Sequence, residues 1–116
     1  MHRYKDLEVW KKSMDLVQVV YALTRTFPDH EKFGVVSQLN RCAVSIPSNI
    51  AEGAGRNSKG EFKQFIGIAV GSLFELETQV LITNRIGYTS DDVKNSIASE
   101  VETIHKMLFG LKKSLI

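Results

Sequence analysis

Apolar residues recur along this chain at helical spacing, with few alternations of the kind a strand shows. Leu7, Trp10, Met14, Val17 and Tyr21 follow one another in steps of 3, 4, 3 and 4, a heptad seam of the kind that packs helices at shallow angles. Val9, Leu16, Val20 and Leu23 make a second apolar row on the same segment, so this helix has more than one partner. Asp6 is its expected N-cap, and Pro28 stops it by Phe27. After a turn at 28–34, Leu39, Ala43, Ile46 and Ile50 share one face of a second helix. A polar stripe of Gln38, Arg41, Ser45, Ser48, Asn49, Glu52 and Arg56 runs along another face. Pro47 removes one backbone hydrogen bond and predicts a kink near Ala43–Pro47. Gly53 or Gly55 then supplies a left-handed cap.

Ser58 and Glu61 fit a capping box that opens a third helix. Phe62, Phe65, Ile66, Ala69, Leu73, Leu76 and Val80 form its core face, Gly67 and Gly71 form a thin patch for close backbone approach, and Gly87 caps its end. Thr89, Ser90, Asp91 and Asp92 open a fourth helix, lined by Val93, Ile97, Val101, Ile104, Leu108, Leu111 and Leu115. The expected helices span about 6–26, 35–54, 58–86 and 90–114, within a single domain over 1–116. Their short connections make neighbours antiparallel. The fold class is therefore all-α: an up-down-up-down four-helix bundle.

Composition changes this picture little. The chain is 43% hydrophobic and 24% charged, as ordinary globular domains are. Its net charge of +2 permits nucleic-acid binding without demanding it. The single cysteine, Cys42, forms no intramolecular disulfide and reads as a small buried hydrophobe. The N-terminus has no signal-peptide pattern. The longest apolar run, Ile66 to Phe74, falls short of the ~20 residues of a membrane span. The expectation is a cytoplasmic protein with no membrane partner.

Three chemical motifs fail on their own terms. Gly55 to Gly60 has phosphate-loop spacing, but Glu61 stands where the lysine belongs. Glu102 and His105 are half of a di-iron motif, and His2 and His30 do not supply the other half. Ser45, Ser48 and Ser72 have no histidine base at a facing level. No catalytic residue, metal site or cofactor is expected.

Two features remain. Ser72, Glu75 and Gln79 on the third helix face the stripe on the second, so Gln38, Ser45, Asn49, Glu52, Ser72, Glu75 and Gln79 form a candidate structural polar seam. In that seam Arg41 or Arg56 pairs with Glu75 or Glu77, and Asn49 serves the carbonyl freed by Pro47. Such buried polar groups set helix register. The second feature is cationic: Arg56, Lys59 and Lys63 at a helix turn, Arg3, Lys5, Lys11 and Lys12 near the N-terminus, and Lys106, Lys112 and Lys113 near the C-terminus.

The runs Leu7 to Trp10, Phe27-Pro28 with Glu31, Gln38-Leu39, Ser45 to Gly53, and Gly71 to Leu73 with Glu75 to Glu77 resemble the bacterial four helix bundle protein family. That family includes proteins encoded in intervening sequences of large-subunit ribosomal RNA genes. It is related to the accessory protein of diversity-generating retroelements. The resemblance covers about the whole chain. Asn40-Arg41-Cys42 departs from it, because relatives often carry a basic pair there. The resemblance implies a bundle that assembles as a ring, in several relatives a homopentamer, and in the accessory protein a nucleic acid and a reverse transcriptase as partners.

The expected function is therefore a non-enzymatic, ring-forming bundle that binds RNA or DNA. Arg41, Arg56, Lys59, Lys63, Lys11 and Lys12 are its candidate contacts. The alternative is a protein–protein interaction or structural module without a nucleic-acid role. Self-association is expected independently, because the first and third helices carry more apolar surface than one bundle interior needs.

Overall fold

The computed structural model describes residues 3–116. Its four helices are α1 (Glu8–Thr24), α2 (Val35–Ala54), α3 (Lys59–Arg85) and α4 (Asp91–Ser114), with 3-10 turns at Tyr4–Asp6 and Asp29–Glu31. Among the described residues there is no strand. His2 lies outside the described residues.

α2 packs against α1 and α3, and α4 against α3 and α1, while the diagonal pairs make no close approach. The helices thus stand at the corners of a square, each antiparallel to the next. The 27 residues of α3 at ~1.5 Å each account for most of the 44 Å long axis.

α2 supplies the centre. Leu39, Ala43, Ile46 and Ile50 are all fully buried, as their spacing predicts. They meet Phe62, Ile66, Ala69, Leu73, Leu76 and Val80 of α3 and Ile97, Val101, Ile104 and Leu108 of α4 in one core.

α1 reverses its two predicted rows. The buried positions are Val9, Ser13, Leu16, Val20, Leu23 and Thr24, whereas Trp10, Val17 and Tyr21 are half-buried and Met14 is 43% exposed. The true seam is also a heptad, interrupted by a polar residue. Ser13 is fully buried because its hydroxyl donates to the Val9 carbonyl at 2.7 Å, which removes the cost of burial. Asp6 is not the N-cap: it lies in the first 3-10 turn with its carboxylate 3.5 Å from Arg3, and Leu7 takes the cap position with no side-chain bond.

The glycines also differ from expectation. Neither Gly53 nor Gly55 is left-handed; among the described residues only Gly87 has positive φ, at 91°. There it closes α3, with Tyr88 N–H on the Thr83 carbonyl at 2.8 Å and Gly87 N–H on the Asn84 carbonyl at 3.1 Å, a Schellman pattern. Gly53 serves packing instead. A Cβ built on it would stand 2.7 Å from Phe65 Cβ, so α2 and α3 touch there through a missing side chain. Gly67 and Gly71, expected at a close contact, face open space.

They belong to a wide exposed face of α3 with Ile68, Phe74, Leu81 and Ile82. Averaged rather than counted as an unbroken run, α3 is long and apolar enough to cross a membrane, with a window of mean hydropathy 1.5 of which 33% is buried.

Candidate functional site

The polar stripe of α2 and its counterpart on α3 meet as the sequence predicts. Ser45 and Ser72 share a hydroxyl–hydroxyl bond of 2.8 Å. Asn49 Nδ2 donates to the Ser45 hydroxyl at 2.9 Å and to the Ser45 carbonyl at 2.7 Å. That carbonyl is not the one freed by Pro47. Ala43 lies on the core face, whereas Ser45 is one turn below Asn49 on the stripe, so the shorter reach wins.

Beyond Ser45 the stripe opens into a cleft of about 370 Å³ lined by Gln38, Arg41, Cys42, Ser45, Ser72 and Glu75. Gln79 lies behind it. It donates from Nε2 to Glu75 Oε2 at 3.3 Å and toward Cys42 Sγ at 3.7 Å. Cys42 is 6% exposed. Burial, then the hydrogen bond and charge of Glu75, push its thiol up to about 12, against a smaller opposing effect of Arg41. A thiol held protonated is a poor nucleophile at neutral pH. Ser45 and Ser72 bond each other rather than a base. The sequence placed Cys42 among the apolar residues and missed its place in the cleft wall; its position one turn before Ile46 and one turn after Gln38 was the available signal.

The predicted pairing of Arg41 or Arg56 with Glu75 or Glu77 does not occur. Arg56 stands beyond the end of α2, where it binds Glu52 at 2.8 Å, approaches Glu61 at 3.8 Å and lies over the Phe65 ring at 4.8 Å. Glu52 therefore belongs to this bundle end and not to the seam. Arg41 and Glu75 take part in no ion pair among the described residues.

The cationic candidates divide three ways. Antiparallel topology puts the α2–α3 turn beside the end of α4, and Lys59 Nζ reaches the Ile116 carbonyl at 2.8 Å. Residues 50–66 and 104–116 at this end carry six Lys or Arg, including Arg56, Lys59, Lys63, Lys112 and Lys113, against Glu52 and Glu61, while the start of α1 at the same end is balanced, with Arg3 and Lys5 against Asp6 and Glu8. Lys11 and Lys12 follow in the first turns of α1, drawn to Glu8 at 3.2 Å and to Glu100 of α4 at 3.7 Å. Arg41 is in the cleft. Ser58 caps α3 by accepting from Glu61 N–H at 3.1 Å, so the glycine-flanked loop is a helix junction.

Glu102 pairs with Lys106 at 3.1 Å, and His105 sits edge-on to Phe74 at 4.9 Å. Among the described residues no three His, Cys, Asp or Glu side chains converge on a possible metal position.

A family model for the 23S rRNA-intervening sequence protein matches residues 5–110. A solved protein of unknown function from Bacteroides thetaiotaomicron, assigned to the S23 ribosomal protein family, shares the fold with a TM-score of 0.83. It is 25% identical, and the alignment covers 90% of this chain and 98% of that one. No curated protein matches the chain. With the bundle, the seam and a match over nearly its whole length, the chain belongs to the 23S rRNA-intervening sequence protein family.

Proposed function

We propose that this protein is a self-assembling, non-enzymatic bundle that binds RNA or DNA through its basic end. The observation that carries this reading is the six-to-two excess of cations where the α2–α3 turn meets the end of α4. Long flexible cations on a helix end follow a phosphate backbone without reading its sequence. One copy offers a modest patch, and a ring would repeat it around the axis.

Self-assembly is supported by two apolar surfaces on opposite sides of the square. On the α1–α2 side, Tyr4, Trp10, Met14, Val17, Val44 and Pro47 line a cleft of about 330 Å³. On the α3–α4 side, Phe74 and Phe109 project, 44% and 59% exposed. A projection on one side and an apolar cleft on the other make a head-to-tail contact, which closes into a ring or continues as a filament. The family resemblance favours a homopentamer.

Light scattering tests the assembly: a mass well above the 13.0 kDa of one chain is expected. Phe109→Asp and Met14→Glu each change an exposed residue and should yield monomers. An equimolar mixture of the two should yield dimers, because one intact contact can form between them. Monomeric parent protein would refute the assembly. Mobility shift with structured ribosomal RNA and duplex DNA across a salt series tests the binding. No shift at low salt, with a specific protein retained after nuclease treatment, would favour a protein-binding module instead.

A further inference from the structure

The cleft between α2 and α3 lies on a side of the square that neither apolar surface occupies, so head-to-tail assembly leaves it open. Two of its charged groups lack an ion-pair partner among the described residues. Behind the cleft, Gln79 is only 8% exposed, and its amide oxygen is buried with no hydrogen-bond donor among the described residues. Turning the amide over would bring that oxygen against the Glu75 carboxylate, which already accepts from Nε2. Among the described residues Glu75 pairs with no cation and Arg41 with no anion, although both line the same cleft of about 370 Å³.

We propose that this cleft binds a small zwitterion, with its cationic nitrogen group on Glu75 and its carboxylate on the Arg41 guanidinium. The available atoms select that chemistry. The Glu75 carboxylate only accepts, so the end of the ligand that meets it must donate, and an ammonium or guanidinium offers several N–H groups at once. Arg41 only donates, and its planar fork matches a carboxylate. Ser45 and Ser72, bonded to each other, keep spare hydrogen-bonding capacity for the polar middle of such a molecule. Free basic α-amino acids combine these features.

Calorimetric titration of the full chain with L-arginine, L-lysine and L-ornithine tests the site, and agmatine serves as the arginine analogue without a carboxylate. At least one amino acid should bind saturably at up to about 10 mM. Glu75→Gln should weaken that binding by about tenfold or more. Arg41→Gln should bring L-arginine down to the affinity of agmatine and leave agmatine unchanged. Both residues are exposed, so both variants should keep the parent's helical circular dichroism. No saturable binding by any of the three amino acids would overturn the proposal. So would affinity indifferent to Glu75→Gln, or agmatine binding as tightly as arginine in the parent.

Discussion

Replacing Gly53 by alanine should destabilise the protein, against the usual effect of that substitution in a helix. In an exposed helix interior, alanine is favoured over glycine by about 1 kcal/mol. At Gly53 the added carbon would stand 2.7 Å from Phe65 Cβ and 2.9 Å from Phe62 Cδ1. Unstrained carbon atoms rest at ~3.5–4.0 Å, so a displacement of about 1 Å is required. The Phe62 ring can turn aside. Phe65 Cβ cannot, because it is fixed to the α3 backbone, and α3 must move away from α2. Such overpacking costs ~1–3 kcal/mol, and the separation also loosens the core between the two helices. Subtracting the propensity gain leaves a net loss of up to about 2 kcal/mol. Urea unfolding followed by circular dichroism should show this as a midpoint lower by up to about 1 M. Gly67→Ala is the control, since its added carbon meets nothing within 4 Å; it should raise stability by about 0.5–1 kcal/mol. Both are best measured in the Phe109→Asp background, which removes the proposed contact between copies. A Gly53→Ala midpoint equal to or above its parent would refute the reading that this glycine permits the α2–α3 approach.

Other consequences are equally open to measurement. Ser13→Ala should change stability by less than about 0.5 kcal/mol, because its hydroxyl bonds only a carbonyl of its own helix and alanine restores helix propensity; a loss several times larger in urea unfolding would contradict this. The native Cys42 thiol, pushed up to about 12, should react with a thiol reagent at pH 8 roughly a thousandfold more slowly than in urea, and equal rates would contradict its burial. Tyr88 O–H donates to Glu31 at 2.9 Å, and this bond, then burial, then the negative charge, raise its pKa above the ordinary 10.0. A raised folded-state pKa gives stability that is fully present below the unfolded value and lost as pH rises through the folded one. Ultraviolet titration should therefore find one of the three tyrosines ionising late, and Tyr88→Phe should abolish it together with that part of the alkaline stability loss.

The bundle was legible because most of its core is written in apolar residues at helical spacing. Leu39, Ala43, Ile46 and Ile50 behave as their positions dictate, and the Ser58 and Gly87 boundaries follow from local chemistry. α1 misled for a specific reason. A hydroxyl bonded to its own helix makes Ser13 effectively apolar, and an apolar pattern cannot register that. Trp10 and Met14 looked like core because their real surroundings are a half-open cleft. Gly53 was misread because a glycine near a helix end fits a cap equally well, and only the neighbouring helix reveals a close approach. The polar seam was legible in outline from its matching stripes. The separation of Arg41 from Glu75, and of Arg56 from both, was not, because side-chain reach depends on the level at which two helices meet. The gathering of Lys59 and Lys63 with the end of α4 likewise needed the topology.

The basic end is the centre of this account, and one measurement tests it most directly. Affinity for structured ribosomal RNA should be determined by mobility shift across a salt series for the parent and for a Lys59→Glu, Lys63→Glu variant. Lys59 is exposed and Lys63 half-buried at the bundle end, so circular dichroism should first show the two proteins equally helical. The account predicts parent binding that weakens steeply with salt. It also predicts a variant whose affinity falls at every salt concentration and whose log–log salt slope is shallower by about 2. Parent binding that is absent at low salt, or a slope identical in the two proteins, would contradict it.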